Sequence, residues 1–314
     1  MKLALAGDTM LGRGVADRLR SAPAQELVSA EVVAAAQEAD LFVLNLECCI
    51  SDRGTPWPAP GKPFFFRAPP RATERLARLG VDCVTLANNH ALDFGFDALV
   101  DTLAHLRDAG IAAVGAGPDL ESARRPAFLE SGGFRLAVLG ATDHPEDFAA
   151  RVDRPGVALL GEDWLTEAVA SVRARADAVL VTPHWGPNMR AEPTAAVLNA
   201  ATALERAGAT LIAGHSAHVF QGVAGRTLFD LGDFLDDYRV DPVLRNDLGL
   251  LFLVELDREG PRRVVVVPLK LDYCHTRLAT GEDVAWIRRR FTELCGRLGT
   301  SVHHVDGRLA LELR

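Results

Sequence analysis

The 314-residue chain has no apolar run long enough for a membrane-spanning helix; stretches such as Leu250–Leu256 and Val264–Leu269 are strand-sized. Its N-terminal Met-Lys-Leu-Ala-Leu-Ala meets Gly7-Asp8 too soon to be a secretory signal, and reads instead as a first buried strand. There are only five cysteines (Cys48, Cys49, Cys83, Cys274 and Cys295), an odd number with no C-x-x-C spacing. That argues against a disulfide framework or a zinc ribbon and for reduced thiols packed as small hydrophobes. A cytoplasmic protein with no membrane partner is the expectation. Lysine is scarce, three against thirty-one arginines, and acidic side chains outnumber basic ones 42 to 34, a net charge of −8. Nucleic-acid binding, which needs a basic face, is therefore not expected. Internal repeats, low-complexity tracts and Gly/Ser-rich linkers are absent too, so one domain over 1–314 is expected.

What is present is an alternation of strand-like runs with helix-period segments. Leu3–Ala6, Leu41–Leu44, Cys83–Leu86, Ile111–Val114, Leu136–Leu139, Ala178–Val181 and Thr210–Ile212 read as strands. Helices are expected before Glu38 and at Arg71–Leu79, Gly95–Ala109, Glu162–Arg175 and Thr194–Arg206. The alternation predicts an α/β fold with a central, largely parallel sheet covered on both faces. From His218 onward the spacing shortens: Val219–Val223, Arg226–Leu231, Gly249–Leu256 and Val264–Leu271 look antiparallel, before a last helix at Asp283–Arg297. Pro56–Pro70 reads as a long loop over the sheet edge.

Five polar clusters stand just after predicted strands: Asp8; Glu47; Asn88-Asn89-His90 with Asp93; His184; and His215 with His218. Ligands of open α/β sheets gather beyond the carboxyl ends of the strands. Carboxylates, a carboxamide and imidazoles converging there would suit a divalent ion, with Ca²⁺, Mn²⁺, Mg²⁺, Zn²⁺ and iron all compatible. Each cluster alone has a plainer reading: Asp8 as a helix cap, Asn88 in a tight turn, each histidine as a structural group. Their coincidence at five strand ends favours a site.

Gly7-Asp8-Thr9-Met10-Leu11-Gly12-Arg13, Asn45-Leu46-Glu47, Phe66-Arg67-Ala68-Pro69-Pro70, Ala87-Asn88-Asn89-His90-Ala91-Leu92-Asp93, His184-Trp185-Gly186 and Gly214-His215-Ser216-Ala217-His218 together resemble the CapA family. That family is named for poly-γ-glutamate capsule synthesis and is related to the calcineurin-like metallophosphoesterases. The resemblance runs from Met1 to about Leu256 and implies a four-layer α/β/β/α sandwich. It also implies Asp8, Glu47, Asn89, His184 and His215 as metal ligands, with Glu47 bridging and His90 as general acid. Three positions depart from the phosphoesterase pattern. Met10 stands where a ligand histidine is usual, Glu47 replaces an aspartate, and the last motif is stretched so that His218 need not reach the metal.

Losing one ligand and shifting another weighs against a second metal, and leaves groups suited to two-way acid/base chemistry. His90 with Asp93, and His218 or His215 with Asp233 or Asp8, are the expected pairs. Some members of the resembled family accompany lasso-peptide genes, and that likeness makes a metal-dependent peptide epimerase the leading expectation. A two-metal hydrolase or transferase acting on poly-γ-glutamate or a phosphodiester comes second, and a non-catalytic binding module third. Lys62 and Arg67 are expected to hold an anionic end of a peptide substrate. Trp185 is either a substrate platform or a packing residue. Arg13 and Arg245 are further basic candidates, while Gly115-Ala116-Gly117, His303-His304 and Cys48-Cys49 carry little signal.

Overall fold

Side chains of successive strand residues point to opposite faces, and here both faces are apolar. In strand Lys2–Thr9, Leu3 and Leu5 enter one core while Ala4 and Ala6 enter another. Leu41–Leu46 repeats the pattern, with Leu41 and Val43 on one side and Phe42 and Leu44 on the other. Leu136–Leu139 and Ala178–Val181 divide in the same way between the shared core and a third. Three cores between four layers make an α/β/β/α sandwich. The computed structural model describes residues 1–21, 26–161, 163–305 and 307–313.

The first sheet has ten strands among the described residues. Its parallel half runs Lys2–Thr9, Leu41–Leu46, Cys83–Thr85 and Ala112–Val114. Its antiparallel half continues from Lys2–Thr9 through Leu248–Asp257, Gly260–Asp272 and Arg308–Glu312. The second sheet is built on the parallel strands Phe134–Thr142, Ala178–His184, Leu211–Ala213 and Thr227–Leu228. Leu5, Val43, Phe252, Val138 and Leu180 fill the space between the sheets. Helices Arg13–Arg20, Ala72–Leu79 and Gly95–Asp108 cover the first sheet through Val15, Leu76 and Leu99. Helices Trp164–Arg173 and Ala195–Ala207 cover the second through Leu165, Val169 and Leu204.

The single central sheet expected from the alternation is thus two sheets. Strands buried on both faces read as continuous apolar runs whichever sheet they join, so the pattern cannot apportion them. The segment after His218 also differs from its expected strands. Val223–Ala224 and Thr227–Leu228 form a short hairpin, and Thr227–Leu228 pairs in parallel with Leu211–Ala213. Of the helix expected from Glu162, Glu162 itself lies outside the described residues, and the helix is Trp164–Arg173. Asp8 caps no helix; the position before helix Arg13–Arg20 is Gly12.

Candidate metal centre

Glycine at position 7 is what lets two strand ends meet. A β-carbon there would lie 1.8 Å from the carbonyl oxygen of Gly232, which has a left-handed φ of +74°. With no β-carbon in the way, the Asp8 N–H donates to that oxygen at 2.9 Å, and Asp8 stands in register beside Asp233 of the parallel strand Asp233–Leu235. The Glu47 N–H donates to Thr9 and fixes the end of the neighbouring strand. A ladder of carboxamides then orients the site. Asn45 donates to Asp8 Oδ1 at 2.7 Å, and Asn88 donates to Asn45 Oδ1 and the Leu46 carbonyl, both at 2.9 Å. Asn88 Oδ1 in turn accepts the His90 N–H at 3.0 Å. From the second sheet, His184 ends strand Ala178–His184 and bridges to His215.

Asp8, Glu47 and His184 each offer a ligand atom within 4.8 Å of the others, and so do Asp8, His218 and Asp233. Asp8 is common to both groups. Among the described residues, neither carboxylate oxygen of buried Glu47 has a hydrogen-bond partner, nor do Asn89 Oδ1, Asp233 Oδ2 or His215 Nδ1. A buried carboxylate with no donor costs several kcal/mol unless a proton or a cation neutralises it. Burial first, and the charge of Asp8 second, push the Glu47 carboxyl well above its usual range. Burial, reinforced by neighbouring imidazoles, pushes His184 well down; it also pushes His215 down to about 4, with Asp8 opposing. Neutral imidazoles beside unpartnered hard oxygens are the donor set a divalent ion takes. The residues therefore fit such an ion, and nothing in the set selects one element.

Two histidine–carboxylate pairs flank this cluster. His90 Nδ1 is 2.6 Å from Asp93 Oδ2, which also accepts the Phe66 N–H at 2.6 Å. The Lys62 ammonium meets the other Asp93 oxygen at 2.6 Å and donates to the Asn89 carbonyl at 2.6 Å. Burial lowers the His90 imidazole, with the Asp93 hydrogen bond opposing. His218 Nδ1 is 2.9 Å from Asp233 Oδ1, 3.3 Å from Asp8 Oδ2 and 4.0 Å from Glu47 Oε2. Burial alone would push His218 down, but Glu47, Asp8, Asp230 and Asp236 together raise it. Its loop is strained: Ser216 and His218 sit at φ +111° and +58°, a region that non-glycine residues rarely adopt. Asp230 pins this loop by accepting the Ala217 and Gly232 N–H groups at 2.8 and 2.9 Å.

Several expectations change. His218 and Asp233 form the expected pair and also stand with Asp8 as one candidate ligand group. His215 stands outside both ligand groups, although its Nδ1 is 3.5 Å from Asp8 Oδ1. Met10 sinks into the core beneath the first sheet, its sulfur accepting the Gly12 N–H. Arg67 does not turn toward the cluster: its guanidinium donates to the Arg53 and Gly54 carbonyls and lies 4.2 Å from the Phe94 ring centre. Trp185 is no platform, since it is buried among helix-facing residues and its indole N–H donates to the Phe229 carbonyl. Lys62 is a positioning group for Asp93. Sequence reasoning missed Asn45, Asp230, Asp236 and Tyr238, whose ring lies 5.4 Å from that of His218. The acidic density of Asp230-Leu231-Gly232-Asp233-Phe234-Leu235-Asp236-Asp237 was the available signal.

Residues 2–238 match the family described as bacterial capsule synthesis protein PGA_cap. The chain belongs to this family. It is 32% identical over 286 residues to the "probable polyglutamine synthesis accessory protein" of Mycobacterium tuberculosis H37Rv, covering 84% of this chain and 74% of that protein. It is 31% identical over 191 residues to the "PGA biosynthesis protein CapA" of Bacillus subtilis 168, covering 59% and 50%. A solved structure of a hypothetical protein from Thermus thermophilus is similar at TM-score 0.50 and 18% identity, over 86% of this chain and 99% of that one. This last likeness is one of fold, and the α/β/β/α sandwich expected above is the fold observed. The PGA_cap relatives overturn the isomerase expectation: they are named for capsule and polyglutamine synthesis. His218, expected as one of the two proton carriers, stands among the candidate ligands with Asp8 and Asp233. Among the described residues, no helix is long and apolar enough to cross a membrane.

Proposed function

We propose that the protein is a metal-dependent hydrolase or transferase acting on the γ-glutamyl amide bonds of poly-γ-glutamate. The observation that carries this reading is Glu47: two buried, unpartnered carboxylate oxygens beside Asp8 and His184, with a neutral, oriented imidazole close by. The names of the relatives supply the polymer. Asp8, Glu47 and His184 would hold the ion, with Asn89, His218 and Asp233 completing its surroundings. When bound, such an ion supplies Lewis acidity and lowers the pKa of a nucleophilic water.

The chain's own residues supply the proton traffic. Asp93 accepts from His90 Nδ1 and so fixes the tautomer that leaves Nε2 as a proton acceptor. Burial keeps that imidazole neutral near pH 7, so it takes a proton from the nucleophile before returning one to the departing amine. Lys62 balances the Asp93 charge and keeps the carboxylate from leaving the ring.

The test is incubation of metal-stripped protein with poly-γ-glutamate after adding back Mn²⁺, Zn²⁺, Ca²⁺ or Mg²⁺. The expected result is ion-dependent shortening of the polymer with release of free amines, or transfer to an added amine. Chelation and Glu47→Gln should both abolish it. Intact polymer with every ion, or turnover of bis-p-nitrophenyl phosphate in its place, overturns the assignment.

A further inference from the structure

A centre crowded with carboxylates must still admit a polyanion, and the two cations expected to receive it are engaged elsewhere: Lys62 with Asp93 and the Asn89 carbonyl, Arg67 with loop carbonyls. Arg13 is different. It is a non-glycine residue at φ +48°, a backbone conformation that side chains rarely adopt and that clusters at functional sites. Its Nε pairs with buried Asp237 at 3.2 Å, yet its side chain is 37% exposed. Among the described residues its two terminal nitrogens donate no hydrogen bond. The guanidinium carbon lies 4.9 Å from the ring centre of Phe64, a large apolar side chain left 48% exposed, and 5.8 Å from that of Phe66. The Phe66 ring centre is in turn 4.2 Å from that of His90. Two stacked phenyl rings, 6.3 Å apart and nearly parallel, therefore flank a planar, partly exposed fork, and one of the two rings also packs against His90.

We infer that Arg13 is the anchor for an α-carboxylate of the substrate chain, held by Phe64, Phe66 and Asp237 to receive it on its two terminal nitrogens. A guanidinium whose Nε is already paired offers a fork matched to one carboxylate. In a γ-linked glutamyl chain each residue keeps a free α-carboxylate, four carbon–carbon bonds and roughly 5 Å from its amide carbon. Arg13 and His90 both lie against the Phe66 ring, at 5.8 and 4.2 Å from its centre, so a unit anchored at Arg13 enters on the side of the site where His90 stands. The assignment deepens the γ-glutamyl reading above and rests on it for the identity of the anion. The strain has a consequence of its own. Asparagine and glycine tolerate a positive φ better than arginine, so the position favours a different residue for stability alone.

The experiment is calorimetric titration of Mn²⁺-loaded protein with a short γ-glutamate oligomer, and with the same oligomer carrying α-carboxamides. Wild type should bind the acid at least tenfold more tightly than the amide. Arg13→Asn should lose that difference while staying folded at the assay temperature, relief of the positive φ partly offsetting loss of the Asp237 pair, and exposed Arg71→Asn should keep the difference. Equal binding of acid and amide by wild type, or full acid binding by Arg13→Asn, overturns the anchor. Arg13-dependent binding of phenyl phosphate with none of the oligomer overturns the carboxylate identity. Arg13-dependent oligomer binding without cleavage would leave the anchor standing and sink only the hydrolase reading.

Discussion

The two histidine–carboxylate pairs use the same contact, imidazole Nδ1 to an aspartate oxygen, and burial acts on both rings in the same direction. Their surroundings send them opposite ways. Asp93 shares its charge with Lys62 and a backbone N–H, so little negative potential is left over and His90 stays neutral. Around His218 the carboxylates have no such cation among the described residues: Asp8, Glu47, Asp230 and Asp236 all lie close enough to raise it. The first pair is balanced by the chain itself and is ready to exchange a proton. The second is an imbalance, and a divalent ion would settle it. A histidine beside an aspartate is thus not one device, and the count of nearby charges decides which it is.

The comparison breaks most sharply at Asp8, which belongs to both ligand groups. Asp8→Asn should remove bound metal, measured by elemental analysis, and cut turnover by about 10³-fold or more. His90→Ala, on the balanced side, should lower kcat roughly 10²–10⁴-fold with metal content unchanged. A parallel loss of metal in that variant would show the two sides to be one unit. Lys62→Met should cost less, about tenfold in kcat, because it removes the balance of Asp93 and not the proton carrier.

Stability against pH sharpens the acidic side. The carboxyls of Glu47, Asp230 and Asp233 are held well above their unfolded values, chiefly by burial, and that of Asp236 is raised to about 6. A group bound more tightly to its proton in the fold stabilises below its unfolded pKa, and that stability is lost as pH rises through the folded value. His215, pushed down to about 4, acts in the opposite sense and costs stability only as pH falls from about 6.5 toward 4. Above pH 6.5 the carboxyl and His218 effects remain, joined toward pH 8.5 by the buried thiols of Cys48, Cys49 and Cys83, which burial pushes up and which act in the same sense. Metal-free protein should therefore melt progressively lower from pH 6.5 to 8.5, by about 5 °C, whereas metal-loaded protein should not; calorimetry at several pH values reads the difference. The smallest effect is expected at Arg67→Ala. Its guanidinium serves loop carbonyls, so kcat/KM should stay within about twofold while the Pro56–Pro70 loop becomes more open to proteolysis.

The strand ends bearing Asp8, Glu47, Asn89, His184 and His215 were legible because polar residues directly after buried strands have few structural reasons to be there. What the pattern could not carry was direction and company. Asn45 and Asn88 look like turn residues, yet their side chains form the ladder that aims Asp8 and His90. Arg67 and Trp185 stand next to motif residues but point away, since neighbours along a strand or loop alternate in direction. Asp233 was seen as a partner for His218, whereas its place beside Asp8 depends on a parallel pairing across more than two hundred residues. The division of strands between two sheets was hidden for the same reason: every strand near the centre is apolar on both faces.

The close approach of Gly7 to Gly232 also sets an order of assembly. Asp8 lies in the first strand, where Asn45 can reach its carboxylate, but its amide has no partner among the described residues until the chain around Gly232 and Asp233 folds back onto it. Contacts so distant in sequence form late, after the loop between them has been closed. A growing chain can build much of its parallel sheet before that moment, yet it cannot bring Asp233 to Asp8 and so complete the second candidate ligand group. The acidic cluster, hazardous when buried without a counter-charge, comes together only when most of the shell around it already exists.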